Sequence, residues 1–395
     1  MSGDESLAGR AERARSELVR SGRIVVKIGT NTIMRAGASR VSDNGGAAGE
    51  PGGVDTEYLH DTAAQIAELV NTGKQIIVVT SGAIGMGALE LGIPRRVTEV
   101  RMRQACAAVG QIALMGEWRR AFAAFGLVPA QILVTRESWD DRTAYLNLRS
   151  SVEALLEAKV VPVFNENDVV STAEIGNAFG DNDQLSALIA SKADAELLIL
   201  LSDVDGVYDA DPRGNPEARP IPYVAELTDE IAAGAGGRGS EFSTGGMATK
   251  LKAVSIARDA GCKVVIAHGR EPRVISRILS GEMIGTLFDA EAGLKNRQRW
   301  IKNSSPRGSI SIDAGALAAI RAKKSLLPRG VVSVDGRFDR GDVVLVNEVA
   351  KVITSLSSEE LQKVLGRKSE EIEALLGSGA PKLIARPEET VFLDE

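Results

Sequence analysis

The chain has 395 residues, 44% of them hydrophobic, and a formal net charge of -6 at pH 7. That allows a sizeable core and more than one domain, disfavours nonspecific nucleic-acid binding by the whole protein, and includes no uninterrupted apolar run of membrane-spanning length. Its two cysteines, Cys106 and Cys262, lie in separate apolar segments and read as buried free thiols of a reducing cytoplasm, while two histidines, His60 and His268, leave little basis for a His-based metal centre or a Ser–His–Asp triad.

Residues 1–22 have no apolar core and carry Asp and Glu, so neither a secretory signal nor a transit peptide is expected. Residues 1–21 are taken as an N-terminal extension. The run RIVVKI at 23–28 is β-branched, ends at Gly29 and predicts a buried strand. Residues 36–53 are rich in Gly, Ala and Ser and read as a loop. Over 55–71, Leu59, Ala63, Ile66, Ala67 and Val70 share one helical face, and Gly73 suits the end of that helix. Strands are predicted at 75–80, 128–134, 160–164, 196–201 and 263–267, and helices at 101–125, 143–158, 184–191 and 247–260. Strands alternating with helices imply a three-layer αβα sandwich, with helices on both faces of a mostly parallel sheet.

The texture changes after about residue 295. Short strands at 309–313, 330–334 and 342–346 are split by Gly and charged turns. They predict a small β-rich domain with one or two helices, beyond a linker around 303–307. The expected division is 22–295 for the α/β domain and 306–385 for the β-rich one. Residues 297–373 carry 14 Lys/Arg against 10 Asp/Glu, whereas the remainder carries 33 against 43.

Ligands of open α/β sheets bind beyond the carboxyl ends of the strands, and this sequence is most unusual there. Lys27 interrupts an apolar strand and is costly to bury without an anion. It reads as a phosphate-binding lysine, with an ion pair across the sheet as the plainer alternative. Ser81-Gly82-Ala83-Ile84-Gly85 follows the second strand, and its glycines allow backbone N–H groups to approach an anion. Asn165-Glu166-Asn167-Asp168 and Gly180-Asp181-Asn182-Asp183 crowd Asp and Asn into two loops, more than helix capping requires. Together they could hold a cationic amino group and help position a metal or a lysine. Ser202-Asp203-Val204-Asp205-Gly206 follows another strand, where a turn is the competing reading. Thr244-Gly245-Gly246-Met247-Ala248-Thr249-Lys250 opens a helix with glycines, hydroxyls and a lysine suited to polyphosphate, without Walker P-loop spacing. Gly234, Gly236 and Gly239 have dinucleotide-loop spacing but follow a polar helical stretch rather than a strand, so they read as a loop.

Seven stretches, VVKIGTNTI (25–33), VVTSGAIGMG (78–87), QILVTRESWDDRTAYLN (131–147), VVPVFNENDVVST (160–172), FGDNDQLSALIA (179–190), LLSDVDGVYDADP (200–212) and STGGMATKL (243–251), occur together and in order. In that combination the chain resembles the amino-acid kinase family, and within it the members that phosphorylate L-glutamate. RGSISIDAGA, SLLPRGVVSVDGRFDRGDVV and SSEEL resemble a PUA domain.

The resemblance implies transfer of the ATP γ-phosphoryl group to the side-chain carboxylate of L-glutamate, as the first step of proline synthesis and with feedback inhibition by proline. It implies ATP contacts at Lys27, Ser202, Asp203 and Thr244 through Lys250. Glutamate contacts are implied at Ser81, Asp168 and Asn182, with Asp183 organising Lys27 and Lys250. Mg²⁺ accompanies the nucleotide, and no protein ligand set for a metal is assigned. A homo-oligomer, dimer or tetramer, is implied as well. Residues 347–351 replace a longer glycine-containing hairpin of the PUA pattern, and the N-terminal extension has no counterpart in the family. Kinases acting on N-acetylglutamate, aspartate or carbamate are the near rivals. N-acetylglutamate lacks a cationic amine, so the acidic loops favour free glutamate. An RNA-binding protein is the rival from another class. Trp300 and Phe338 are the obvious aromatics of the β-rich region, a poor stacking platform that argues against it.

Overall fold

In the computed structural model, which describes residues 6–35, 53–93, 97–135, 141–170, 182–212, 214–228, 231, 246–290, 296–367, 369–377 and 379–393, the apolar runs become the inner strands of one large sheet. The strands are β1 (Arg23–Ile28), β2 (Gln75–Val79), β3 (Pro129–Val134), β4 (Val161–Glu166), β5 (Leu197–Ser202), β8 (Tyr223–Val224), β9 (Lys263–His268) and β10 (Thr286–Phe288). The strand order is β3-β4-β2-β1-β5-β9-β10-β8. Pairing is parallel from β3 to β9, while β10 runs antiparallel to β9. Two short strands, β6 (Val207–Tyr208) and β7 (Pro220–Ile221), form a separate antiparallel hairpin. All of these lie in the first of two units, Met1–Gly293 and Leu294–Glu395.

The helices of this unit are α1 (Leu7–Glu17), α2 (Thr30–Ile33), α3 (Thr56–Asn71), α4 (Ala83–Glu90), α5 (Val100–Ala123), α6 (Arg142–Glu157), α7 (Asn182–Lys192), α8 (Met247–Arg258) and α9 (Val274–Leu279). Because side chains of a strand alternate between faces, Ile24, Val26 and Ile28 join Leu59, Ile66, Leu114 and Trp118 in one core. Val25 joins Leu185, Ile189, Leu200 and Val254 in the other. A strand buried on both faces must be apolar throughout. Lys27 is the exception in β1, and its alternation places it on the side covered by α7 and α8.

Helices α4 and α5 cross so closely that glycine is required twice. A Cβ on Gly87 would lie 1.8 Å from the Cys106 carbonyl oxygen, and one on Gly110 would lie 1.9 Å from that of Ala83. Both obstacles are backbone, so neither can rotate away. Gly110→Ala is therefore expected to destabilise the fold by about 3 kcal/mol, the upper end for overpacking. Because α4 continues directly from Ser81, it should also raise the Michaelis constant of any ligand held there. Thermal unfolding within 1 °C of wild type, a shift of only about 0.6 kcal/mol for a unit of this size, would refute the close crossing.

The second unit holds α10 (Asn296–Asn303), β11 (Gly308–Ile312), α11 (Ala314–Arg321), β12 (Val331–Gly336), β13 (Val343–Val346), β14 (Ala350–Ile353), α12 (Ser358–Lys363), α13 (Ser369–Leu376) and β15 (Thr390–Phe392). Its sheet runs β12-β11-β13-β14-β15 around Ile310, Val344, Val346, Val352 and Leu361. Trp300 and Phe338 are both buried and present no stacking face to solvent. Asn347 and Glu348 take positive φ in the turn after β13. The Asn347 amide closes that turn by accepting from the Ile312 N–H (2.8 Å) and donating to the Ile312 carbonyl (3.0 Å). Among the described residues, no helix is long and apolar enough to cross a membrane.

Candidate active site

The polar residues singled out at the strand ends converge at the carboxyl edge of the sheet. Lys27 is the penultimate residue of β1 and is buried. A charge there is tolerable only beside a counter-charge. Asp183, in the first turn of α7 and 0% exposed, supplies it. Its Oδ1 is ion-paired with Lys27 Nζ, and its Oδ2 accepts from Lys250 Nζ at 2.9 Å. Lys250 comes from the first turn of α8 and is also buried. Burial alone would raise the Asp183 pKa, but the two ammonium groups outweigh it and hold the carboxyl below its ordinary value. Among the described residues, the two cations share this one carboxylate.

Beside Lys250 lies a cavity of about 500 Å³ lined by Asp203, Asp205, Gly206, Tyr208, Gly246 and Met247 among others. Gly246 caps α8 with no side-chain acceptor on the helix's first N–H groups. Asp203 Oδ2 accepts from Asn31 Nδ2 (2.9 Å), which ties the end of β5 to α2. Ser202 is buried, and its hydroxyl accepts from the Val204 N–H (3.2 Å), so it shapes the turn. The Thr249 hydroxyl donates back to the Gly246 carbonyl (2.8 Å) and Ala248 is exposed. Ser202, Ala248 and Thr249 do not line the cavity. Thr244 and Gly245 lie outside the described residues, as do residues 36–52 of the glycine-rich stretch and the Gly234, Gly236 and Gly239 motif.

On the other side of the lysine pair, Asn182 Nδ2 reaches the Thr80 carbonyl (2.7 Å), Ser81 Oγ (2.9 Å) and Asn165 Oδ1 (3.0 Å). Asn165 Nδ2 in turn donates to Gln111 Oε1 on α5 (2.8 Å). Trp118 Nε1 donates to Thr80 Oγ1 (3.0 Å). Ser81, Asn182 and the end of β4 are thus brought together. Asp168 follows β4 in a half-buried turn, where burial and then the neighbouring Glu166 push its carboxyl pKa up to about 6. Gln111, Thr80 and Trp118 carried no assigned role in the sequence reading, and Asn165 only a collective one as part of its acidic loop. The density of Asn and Asp in NEND pointed to Asn165, whereas nothing around Gln111 in a long helix distinguishes it from a packing residue.

Comparison with known proteins narrows the class. The profile of the Amino acid kinase family matches residues 22–268, and that of the PUA domain matches residues 308–376. The chain is 47% identical to a glutamate 5-kinase of Methanosarcina acetivorans, over 90% of this chain and 92% of that protein. It is 43% identical to a glutamate 5-kinase of Citrifermentans bemidjiense, over 90% and 93% respectively. Among solved structures it is similar to an isopentenyl phosphate kinase, with a TM-score of 0.46 and 21% identity over 67% of this chain and 99% of that one.

Proposed function

Because the chain belongs to the amino acid kinase family, we infer that it transfers the γ-phosphoryl group of ATP to the side-chain carboxylate of L-glutamate, the first step of proline biosynthesis. The observation that carries the site assignment is the Lys27–Asp183–Lys250 cluster, which separates the cavity beside α8 from the Asn182–Ser81 cluster.

The acceptor is a carboxylate with an ordinary pKa of about 4.3, so it is already ionised at neutral pH and requires no general base. The obstacle is repulsion between two anions, and the remedy is fixed positive charge with in-line alignment. Lys27 and Lys250 face the transferring phosphoryl oxygens, where negative charge develops. Asp183 holds both ammonium groups at a fixed spacing through its two oxygens. Asp203, Gly246, Met247 and Lys250 contact the nucleotide. Mg²⁺ enters with ATP, and among the described residues no group of three or more His, Cys, Asp and Glu could hold it. Asp203, Asp205 and Asp211 are the carboxylates lining the cavity and would share the ion with phosphate oxygens and water. When bound, the ion would spread the phosphate charge. Asp168 and Asn182 hold the α-amino end of glutamate, and Ser81 with nearby amides meets a carboxylate.

Asp168 gives this a pH signature. Its raised pKa of about 6 means that it loses its charge, and its hold on an ammonium, as pH falls through that value. The glutamate KM should rise by up to about tenfold per unit below pH 6, and Asp168→Asn should have a high KM that no longer varies with pH. A wild-type KM constant from pH 5 to 7.5 removes Asp168 from the amine site.

We also assign residues 22–295 to the catalytic module and 306–385 to a PUA-like appendage without a primary RNA role. Tight, salt-resistant RNA retention in filter binding would reverse the latter. The two buried free thiols suit the cytoplasm. Exposed Ile112 on α5, Val128 before β3, Leu133 in β3 and Leu146 on α6 suit a homo-oligomer, which sedimentation velocity tests directly. The deciding assay is ADP release with Mg-ATP and L-glutamate, N-acetyl-L-glutamate or L-aspartate, with and without proline. Turnover with L-glutamate alone, suppressed by proline, supports substrate and regulation together. Turnover with another acid overturns the substrate.

A further inference from the structure

The N-terminal helix contributes a buried cation that the phosphoryl-transfer site does not use. Arg15 on α1 is 1% exposed. Its guanidinium donates through Nη1 to the Ile284 carbonyl (2.7 Å) and through Nη2 to the Gly285 (2.8 Å) and Pro222 (3.2 Å) carbonyls. Burial lowers its pKa to about 10, so it keeps its charge at neutral pH. Two residues further on, at the same C-terminal end of α1, Glu17 pairs with Lys263 (3.0 Å) and gives the helix a second anchor.

The three carbonyls belong to the two segments from which the wall of the cavity hangs. Pro222 follows β7 directly. Residues 284–286 are not a free loop either: Gly285 takes φ 64°, and a Cβ there would lie 2.1 Å from the Ile266 carbonyl oxygen. The next residue, Thr286, accepts from the Val207 N–H (2.8 Å) and donates to the Ile221 carbonyl (2.6 Å) through one hydroxyl. That hydroxyl therefore joins β6 to β7 at their base. Gly206, immediately before β6, packs on Thr286 so closely that a Cβ would meet its Oγ1 at 2.8 Å. The hairpin then carries Tyr208, Ala210, Asp211 and Pro212 into the cavity lining.

We propose that α1 is a positioning element for the nucleotide site: Arg15 clamps the base of the β6–β7 hairpin and so sets the wall against which the nucleotide binds. This rests on assigning that cavity to the nucleotide. Arg15 touches no reacting atom and acts through Thr286.

The test is the affinity of the full chain for Mg-ADP by calorimetry, together with steady-state kinetics, for Arg15→Met, Arg15→Lys, Thr286→Val and Glu17→Gln. Arg15→Met and Thr286→Val are each expected to weaken Mg-ADP binding and raise the KM for ATP about tenfold, the size of effect seen for residues coupling to a site they do not touch. The kcat and the glutamate KM should stay within about twofold. Arg15→Lys, which keeps the charge but not the fork, should recover part of the affinity. Glu17→Gln, which loosens α1 at its other anchor, should lower the unfolding temperature and leave Mg-ADP affinity unchanged. If Arg15→Met and Thr286→Val lose stability or active fraction at constant Mg-ADP affinity, the role is structural and the proposal falls. Should Arg15→Met fail to fold, Thr286→Val and Arg15→Lys decide the matter by the same criterion. Wild type that binds Mg-ADP but phosphorylates no glutamate overturns the substrate and leaves this inference to the affinity ratios. Wild type that binds no Mg-ADP overturns both.

Discussion

Replacing Lys250 by Ala should lower kcat by a factor of about 100 to 1000 and leave the fold nearly intact. The size follows from what the side chain is expected to do: it stabilises charge that grows on the phosphoryl oxygens only in the transition state. The small structural cost follows from charge counting within the cluster. Wild type buries two ammonium groups against one carboxylate. Without Lys250, Lys27 and Asp183 remain as a balanced pair, so no uncompensated charge is left behind. Single-turnover kinetics separates this loss from product release, and urea unfolding measures the fold. A kcat within about tenfold of wild type, well short of the loss of one transition-state donor, would take Lys250 out of the chemistry.

Asp183→Ala removes the shared carboxylate from the same cluster and should do both kinds of damage. Two buried cations then face each other without that counter-charge, a defect that costs about 3–5 kcal/mol when a buried pair is broken. The lysines also lose their common anchor, so turnover should fall at least as far as in Lys250→Ala. The pH dependence carries a sign that checks the cause. The carboxyl titrates below its ordinary value in the folded protein. Its contribution is therefore fully present above the unfolded carboxylate pKa of about 3.9 and is lost as pH falls through the depressed folded value. Wild type should lose stability steeply in that acid range, and Asp183→Ala should lose less there because it has nothing left to lose. Equal acid sensitivity in the two proteins would mean that the ion pairs do not stabilise the cluster.

Much of the fold was legible because fully buried parallel strands leave little choice of residue. RIVVKI, QIIVVT and ELLILL read as strands, and they occupy the middle of the sheet as β1, β2 and β5. The short edge pieces were not legible. Segments of two or three residues such as β6, β7, β8 and β10 have no measurable periodicity. β10 runs antiparallel to β9, and Gly285 just before it, at φ 64°, packs on the Ile266 carbonyl. Helix α1 was missed because LAGRAERARSE shows a weak apolar face. What it buries most deeply is an arginine, which sequence rules place outside.

For the site, Lys27, Asp183 and Lys250 were conspicuous individually: a lysine in an apolar strand, an acid in a polar loop, a lysine after paired glycines. The sequence by itself determined the residue chemistry, the α/β class and, through seven ordered motifs, the family. Only the tertiary structure decided who meets whom. Lys250 reaches an acid 67 residues away, Asn165 meets a glutamine 54 residues away, and Arg15 finds a carbonyl 270 residues along the chain. The reason is physical. Helix and strand are set by neighbours within a few residues, whereas these contacts are set by the order in which parallel strands are threaded into the sheet. That order brings strand ends and helix starts to one edge whatever their separation in sequence.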